Sequence, residues 1–413
     1  MNKFISPERS AFFEKSGLPP FWDSYYEIDG KKIDYPYMLY TCHKESKHAM
    51  LELQRANVKT AEIFDLVANR IYDWDEDELE KWGFPKHHKK FLKLPKEELF
   101  CMRIGWAWKD GHPVLFEINA EAPTLWIEPE MATPLMTKQF GLRNPTPKSN
   151  NHLKKALNQA ITKSLADLPP HRRDKPTVGF VCFNDMEDLT TMLWLANFCE
   201  YTSEVFPIDN LDFTLEDDIP FNTGTGKQFD ALIFWDVPEW LEERVYADGE
   251  SMFNLFIKAL AKRSFALVHA IPAYFVQSKG TLAYITEHAE DIFTGKYKAA
   301  EKYFPKTYLT PKKLGKSYIA KPIWGRQGQG CYIVRNGETT RSRYLNDYYV
   351  KQKKVYQELL TVSQIPIEGE TLNWVYESWV YKVDGKFVPG ATGLRGCNRE
   401  ITDDFCYFMP IGI

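Results

Sequence analysis

Glu117 and Asn119 lie two residues apart in "VLFEINAEAPT", residues 114–124 of the chain. Side chains of a strand alternate between faces, so the carboxylate and the amide share one face while Val114, Phe116 and Ile118 share the other. Two oxygen donors so placed suit a hard cation such as Mg2+, which is commonly held by one or two side chains together with substrate phosphates. Upstream, in "MRIGWAWKDGHPVLFEIN", Arg103 alternates with Gly105, and an arginine there would stabilise charge on a transferred phosphoryl group. Whether the four positions share a face depends on the turn. A three-residue loop with a bulge would align Gly105 with Glu117 and Arg103 with Asn119, whereas a two-residue Asp110-Gly111 loop would oppose them. We expect the longer loop; the competing reading is a solvated hairpin face.

A second stretch, "KPIWGRQGQG", places Lys321 at the end of a strand, followed by Gly325, Gly328 and Gly330 before a new strand at Cys331. Glycines let backbone N–H groups approach phosphate oxygens, and the lysine adds a point charge. The loop joins two strands and lacks the spacing of a Walker or dinucleotide motif, which sit between strand and helix. An ordinary glycine-rich turn is the competing reading. The nine histidines show no triad-like setting, and Cys331 reads as a small strand residue.

These residues need elements to hold them. From Glu45 to Tyr72 apolar positions recur at helical spacing, and the hairpin follows. Residues 141–176 are proline-flanked around one helix near Leu153 to Leu165. "TVGFVCFND", "MEDLTTMLWLANFCEY" and "TSEVFPI" then form a βαβ pattern, with "FDALIFWDV" and "FALVHAI" as further strands. The last third starts with the helix "GKYKAAEKYF" and continues as short, aromatic, glycine-punctuated runs expected to form antiparallel sheet. The expected organisation is residues 1–175 for the helical region and metal-binding hairpin, 176–275 for a small α/β lobe, and 276–413 for a nucleotide-binding lobe.

The 413 residues exceed what one hydrophobic core usually serves. A net charge of −4, with acids and bases interspersed, gives no field suited to nucleic acid or an anionic membrane. Seven scattered cysteines without CxxC or zinc spacing read as free thiols in a reducing compartment. No uncharged apolar run approaches the length of a membrane span, so a cytoplasmic location is expected.

Taken in order, "MRIGWAWKDGHPVLFEINAEAPT", "FNDMEDLTTMLWLANFC", "FWDVPEW", "KPIWGRQGQG", "VYQELL" and "GLRGCNREITDDFCYFMPIGI" resemble the synthetase domain of the glutathionylspermidine synthase family. The resemblance runs from about residue 45 to the C-terminus and implies an α/β (α+β) chain with an ATP-grasp fold and a Rossmann-like pre-ATP-grasp lobe. It implies a ligase in which ATP phosphorylates the glycine carboxylate of glutathione and a spermidine amine attacks the acyl phosphate. No segment resembles the cysteine amidase domain of some members.

By position, the resemblance makes Arg103 the arginine beside the transferred phosphate and Glu117 and Asn119 the Mg2+ ligands. Lys321, Gln327 and Gly328 match the nucleotide clamp, and Gln357, Glu358, Leu359 and Leu360 the hinge edging the adenine. Lys296 matches a second ATP lysine, with Lys298 as its alternative, and Glu377 a further nucleotide contact. Glu187 and Asp188 match an acidic pair suited to a polyamine or the glutathione amino group, or serve only the helix macrodipole. Arg395 matches an arginine for a substrate carboxylate, and Asp404 faces the amine. Three positions depart from the family: Gly105 replaces a third acidic metal ligand, Leu189 replaces an arginine, and Ala122 stands where relatives often present a hydroxyl.

Overall fold

The computed structural model describes residues 6–18, 22–28, 31–236, 241–246, 249–342, 346–367, 369–402 and 405–413. The hairpin expected from the sequence is present, with strands Cys101–Lys109 and His112–Asn119. Its turn differs from the expectation. Lys109 pairs with His112, so the loop is the two-residue Asp110-Gly111, with φ of 52° and 78° at its two positions. That is the twist a tight hairpin needs. The alignment expected from a longer loop nevertheless holds, because the extra residue sits in the strand. Register shifts between Gly105 and Trp106, Phe116 bulges out, and Gly105 then faces Glu117 while Arg103 faces Asn119.

The hairpin forms one side of a large sheet whose order runs from the short strand His43–Lys44 through Tyr407–Gly412, Lys386–Cys397, Glu370–Val383 and Cys101–Lys109 to His112–Asn119. Both faces are covered, which explains the near-continuous apolar run of Cys101–Lys109. One cover is the 25-residue helix Lys47–Ile71, started by Ser46, whose hydroxyl accepts from the Ala49 N–H. Its Met50, Leu53, Ile63, Phe64 and Val67 are buried, and Asn57 Oδ1 accepts at 2.7 Å from the Trp106 indole.

A second sheet of five antiparallel strands carries the glycine loop, with Lys354–Glu358 and Tyr332–Arg335 on either side of Tyr318–Pro322. A third sheet is the parallel one expected from the βαβ pattern, ordered Ala266–Val268, Ala231–Trp235, Thr177–Cys182, Thr202–Pro207. Three indoles join it to the large sheet: Trp126 stacks on Trp235 at 4.9 Å and on Trp379 at 4.1 Å. Among the described residues no cysteine is in a disulfide and no helix is long and apolar enough to cross a membrane.

The segment "FALVHAI" leaves the strand after Val268, and His269 takes φ 75° to start the helix Ala270–Gln277. That strained residue ties down both ends of the hairpin. Its Nδ1 accepts from the Phe100 N–H at 3.2 Å and its Nε2–H donates to the Ala120 carbonyl at 2.7 Å. The helix end adds Gln277, whose Oε1 accepts from the Ala120 N–H at 2.7 Å. Both ring nitrogens are committed, so the fold binds the neutral ring, and burial pulls its pKa from 6.5 down to about 4.

A group with a depressed pKa of this sign contributes fully above its unfolded value and loses that contribution as pH falls toward the folded one. Wild type is therefore expected to lose on the order of 3 kcal/mol relative to His269→Gln between pH 6.5 and 4. Urea unfolding of both proteins across that range checks it; parallel pH profiles would refute the assignment.

Candidate active site

One row of side chains crosses four strands of the large sheet. Glu117 faces Gly105, Gly105 faces Glu377, and Glu377 faces Gly393, so two carboxylates alternate with two glycines on one face. The next row holds Arg103 opposite Asn119. Arg103 is buried, donates from Nη1 to the Thr124 carbonyl at 2.9 Å, and lies with Nε 3.4 Å from Glu377 Oε2. Asn119 donates its amide to Glu117 Oε1 at 3.4 Å, which leaves the amide carbonyl as its ligand-type atom.

Electrostatics separate the two acids. Desolvation pushes the Glu117 carboxyl upward, but Arg103, Arg395, Lys279 and Lys321 together hold it below its ordinary range. Glu377 is raised, first by burial and then by the Glu117 charge, against the pull of Arg103 and Arg395. The Arg395 guanidinium has its pKa raised, since neighbouring groups that include Glu117 and Glu377 outweigh its own desolvation. A half-buried site with this many fixed cations is built for an anion, and its all-oxygen donors suit Mg2+ and not a thiophilic metal.

The glycine loop closes on the same place. Lys321 donates from Nζ to the bulged Phe116 carbonyl at 2.9 Å and to Gln357 Oε1 at 2.7 Å, and Gln357 in turn donates to Thr307 Oγ1 at 3.2 Å. Burial pulls the Lys321 pKa down to about 8. Arg326 Nη2 meets Glu121 Oε2 at 2.6 Å, just past the hairpin. Gln327 and Gly328 have φ of 54° and 68°, and a Cβ on Gly328 would lie 2.3 Å from the Thr402 carbonyl oxygen. Glycine is required there twice over, by conformation and by contact.

Gln357 and Glu358 end the strand Lys354–Glu358, and Leu359 and Leu360 begin the short connection to Ser363–Ile367, a strand of the large sheet. The expected hinge is thus a covalent link between the two sheets. Gln357 itself is buried and turned to Lys321, while Glu358 pairs with Lys109 at 3.4 Å.

Other expected residues are placed differently. Lys296 is exposed on the 3-10 helix Gly295–Tyr303, over the Tyr297 ring, and Lys298 pairs with Glu301. The second lysine that acts on Glu117, beside Lys321, is Lys279, whose Nζ donates to the Gly325 carbonyl at 2.6 Å. Sequence reading missed it; its only signal is a base following Ser278, the N-cap of the helix Lys279–Glu287. Glu187 and Asp188 stand in the first turn of the helix Met186–Ala196, capped by Asp185. Burial, then Asp185, Glu187 and Asp236, push Asp188 up to about 8, opposed by Arg326. Asp404 lies outside the described residues.

The family model described as glutathionylspermidine synthase pre-ATP-grasp matches residues 25–413. The chain belongs to the glutathionylspermidine synthase family. No curated protein matches it by sequence. Among solved structures it is similar to a glutathione synthetase-like effector from Globodera pallida in apo form, with TM-score 0.57 and 10% identity over 98% of this chain and 95% of that one. A putative gamma-glutamylcysteine synthetase from Methylobacillus flagellatus KT gives TM-score 0.39 at 10% identity, over 82% and 84%. Membership in this ATP-grasp family points to an ATP-dependent carboxylate–amine ligase.

A phosphate beside Lys321 would favour its charged form. Nucleotide binding is expected to take up protons near pH 8 and to weaken as pH rises through that value. Calorimetric titration of ADP in two buffers of different ionisation heat reads this uptake, which Lys321→Gln should abolish. Equal heats in both buffers would separate Lys321 from the phosphates.

Proposed function

We propose that the protein is an ATP- and Mg2+-dependent ligase that joins the carboxylate of a glutathione-like peptide to an amine of spermidine or a similar polyamine. The observation that carries the reading is the convergence of the hairpin residues Arg103, Glu117 and Asn119 with Lys321 and the glycine loop, over 200 residues away in sequence. In this reading Glu117 and Asn119 hold Mg2+, which would neutralise phosphate charge when bound. Lys321, Gln327, Gly328 and Lys279 face the nucleotide phosphates, and Gln357 to Leu360 line the adenine edge. Lys279 takes the place expected of Lys296, which stands exposed over the Tyr297 ring.

The chemistry follows from the electrophile. A carboxylate resists attack, so its oxygen takes the γ-phosphoryl group of ATP, releasing ADP. The amine nitrogen then attacks the acyl carbon, phosphate leaves, and the amine proton passes to solvent or a nearby base. The residues position these groups and hold the charge spread over the phosphoryl oxygens. Arg103 serves the transferred group, and Arg395 serves the peptide carboxylate. Asp188, crowded by Asp185, Glu187 and Asp236, supports a cationic amine, because a bound cation would relieve that repulsion. Asp404 is assigned to the same amine. Ala122 and Leu189 favour a close variant in which the peptide or amine differs from glutathione and spermidine.

Incubation with Mg-ATP, glutathione and spermidine is expected to release ADP and yield a conjugate of the two, detected by mass spectrometry. Arg103→Ala should slow turnover by about 10²–10³-fold. No ADP release with any of a panel of thiol peptides and polyamines would overturn the reading.

A further inference from the structure

Gly105 leaves the hairpin without the acid that would complete a set with Glu117 and Asn119, and the neighbouring strand fills that space. Glu377 is directly opposite Gly105 in the register. A Cβ placed on Gly105 would lie 2.9 Å from Glu117 Cγ and 3.5 Å from Glu377 Oε1. Both acidic side chains therefore lean over the glycine. Adjacent strands are about 4.8 Å apart, so a carboxylate from the next strand must span that extra distance, and glutamate is the longer of the two acids.

We propose that Glu377 is a third protein ligand of the divalent cation assigned above to Glu117 and Asn119, supplying from the adjacent strand the carboxylate that position 105 lacks. This rests on the ligase reading. Glu377 is 1% exposed, and its Oε2 accepts no hydrogen bond among the described residues. Its cationic neighbour Arg103 lies 3.4 Å away, beyond the roughly 2.7–2.9 Å of a charge-assisted hydrogen bond, and so leaves the oxygen with capacity to spare. A half-buried and a buried carboxylate leaning into one space repel each other, and a cation held between them turns that repulsion into attraction. Gly105 is then a consequence of Glu377: a side chain there would collide with Glu117 and crowd the carboxylate that replaces it.

The rival role for Glu377 is to anchor Arg103 alone. Mn2+ titrated into the full chain saturated with ADP, followed by electron paramagnetic resonance, separates the two. Glu377→Gln keeps the size and an acceptor for Arg103 but removes the charge. Mn2+ affinity is expected to fall by about tenfold or more in Glu377→Gln and likewise in Glu117→Gln, with metal-free ADP binding retained in both. Loss in Glu117→Gln alone would overturn the assignment of Glu377 and leave the ligase reading standing. Wild-type protein that bound neither ADP nor Mn2+ would overturn both. A crystal of the unaltered chain with Mn2+ and ADP gives a reading independent of any variant. An anomalous peak bonded to a Glu377 oxygen supports the proposal, and a peak bonded to Glu117 and Asn119 with Glu377 turned to Arg103 defeats it.

Discussion

The bulge at Phe116 is the constraint on which the site depends. The tight Asp110-Gly111 turn pairs Trp106 with Leu115, and unbroken pairing would continue with Gly105 opposite Phe116 and Ile104 opposite Glu117. Glu117 would then leave the face shared by Gly105, Arg103 and Glu377. One extra residue restores it, because a shift of one position exchanges the faces of a strand. The bulge releases a backbone carbonyl from the ladder, and the fold places Lys321 against it. The same lysine that closes the nucleotide sheet onto the hairpin thus satisfies the acceptor that the bulge exposes.

That economy extends along the chain after the hairpin. Ala120 is held through both its backbone groups by His269 and Gln277, Glu121 by Arg326, the Thr124 carbonyl by Arg103, and the Leu125 carbonyl by the Trp379 indole at 2.8 Å. Leu125 takes φ 69°, an uncommon conformation for a non-glycine residue, and the surrounding contacts keep it there. A segment without regular structure is in this way fixed as firmly as a strand. The anchors come from the helix Ala270–Gln277, the glycine loop and two strands of the large sheet, so the segment also sets how those elements meet.

The sequence made the hairpin residues legible because period-two alternation and the Asp-Gly signal act locally. It could not show the cause of the register, since a bulge is chosen by what receives the freed carbonyl, and Lys321 is 205 residues away. The parallel sheet was readable from its buried runs. Lys279 was not, because nothing in "QSKG" reveals that its amine straps Gly325. The acidic first turn of Met186–Ala196 was visible, but not the burial of Asp188 or the approach of Asp236, which with Asp185 and Glu187 raise its carboxyl where a helix N-terminus alone would lower it. Family resemblance named Glu377 only as a nucleotide contact; its meeting with Gly105 is a property of the ladder.

The glycine loop is anchored on two sides. Its backbone approaches the segment at Ile401 and Thr402 so closely that a Cβ on Gly328 would overlap the Thr402 carbonyl. On its other side, Arg326 and Lys279 tie it to Glu121 and to the helix beginning at Lys279. The loop is therefore fixed at both edges, between the C-terminal segment and the exit of the hairpin. A side chain at Gly328 would push the loop from Thr402, whereas one at Gly330 would meet Pro322 and the Tyr349 backbone, so the two glycines hold the loop against different neighbours and a substitution at either displaces it.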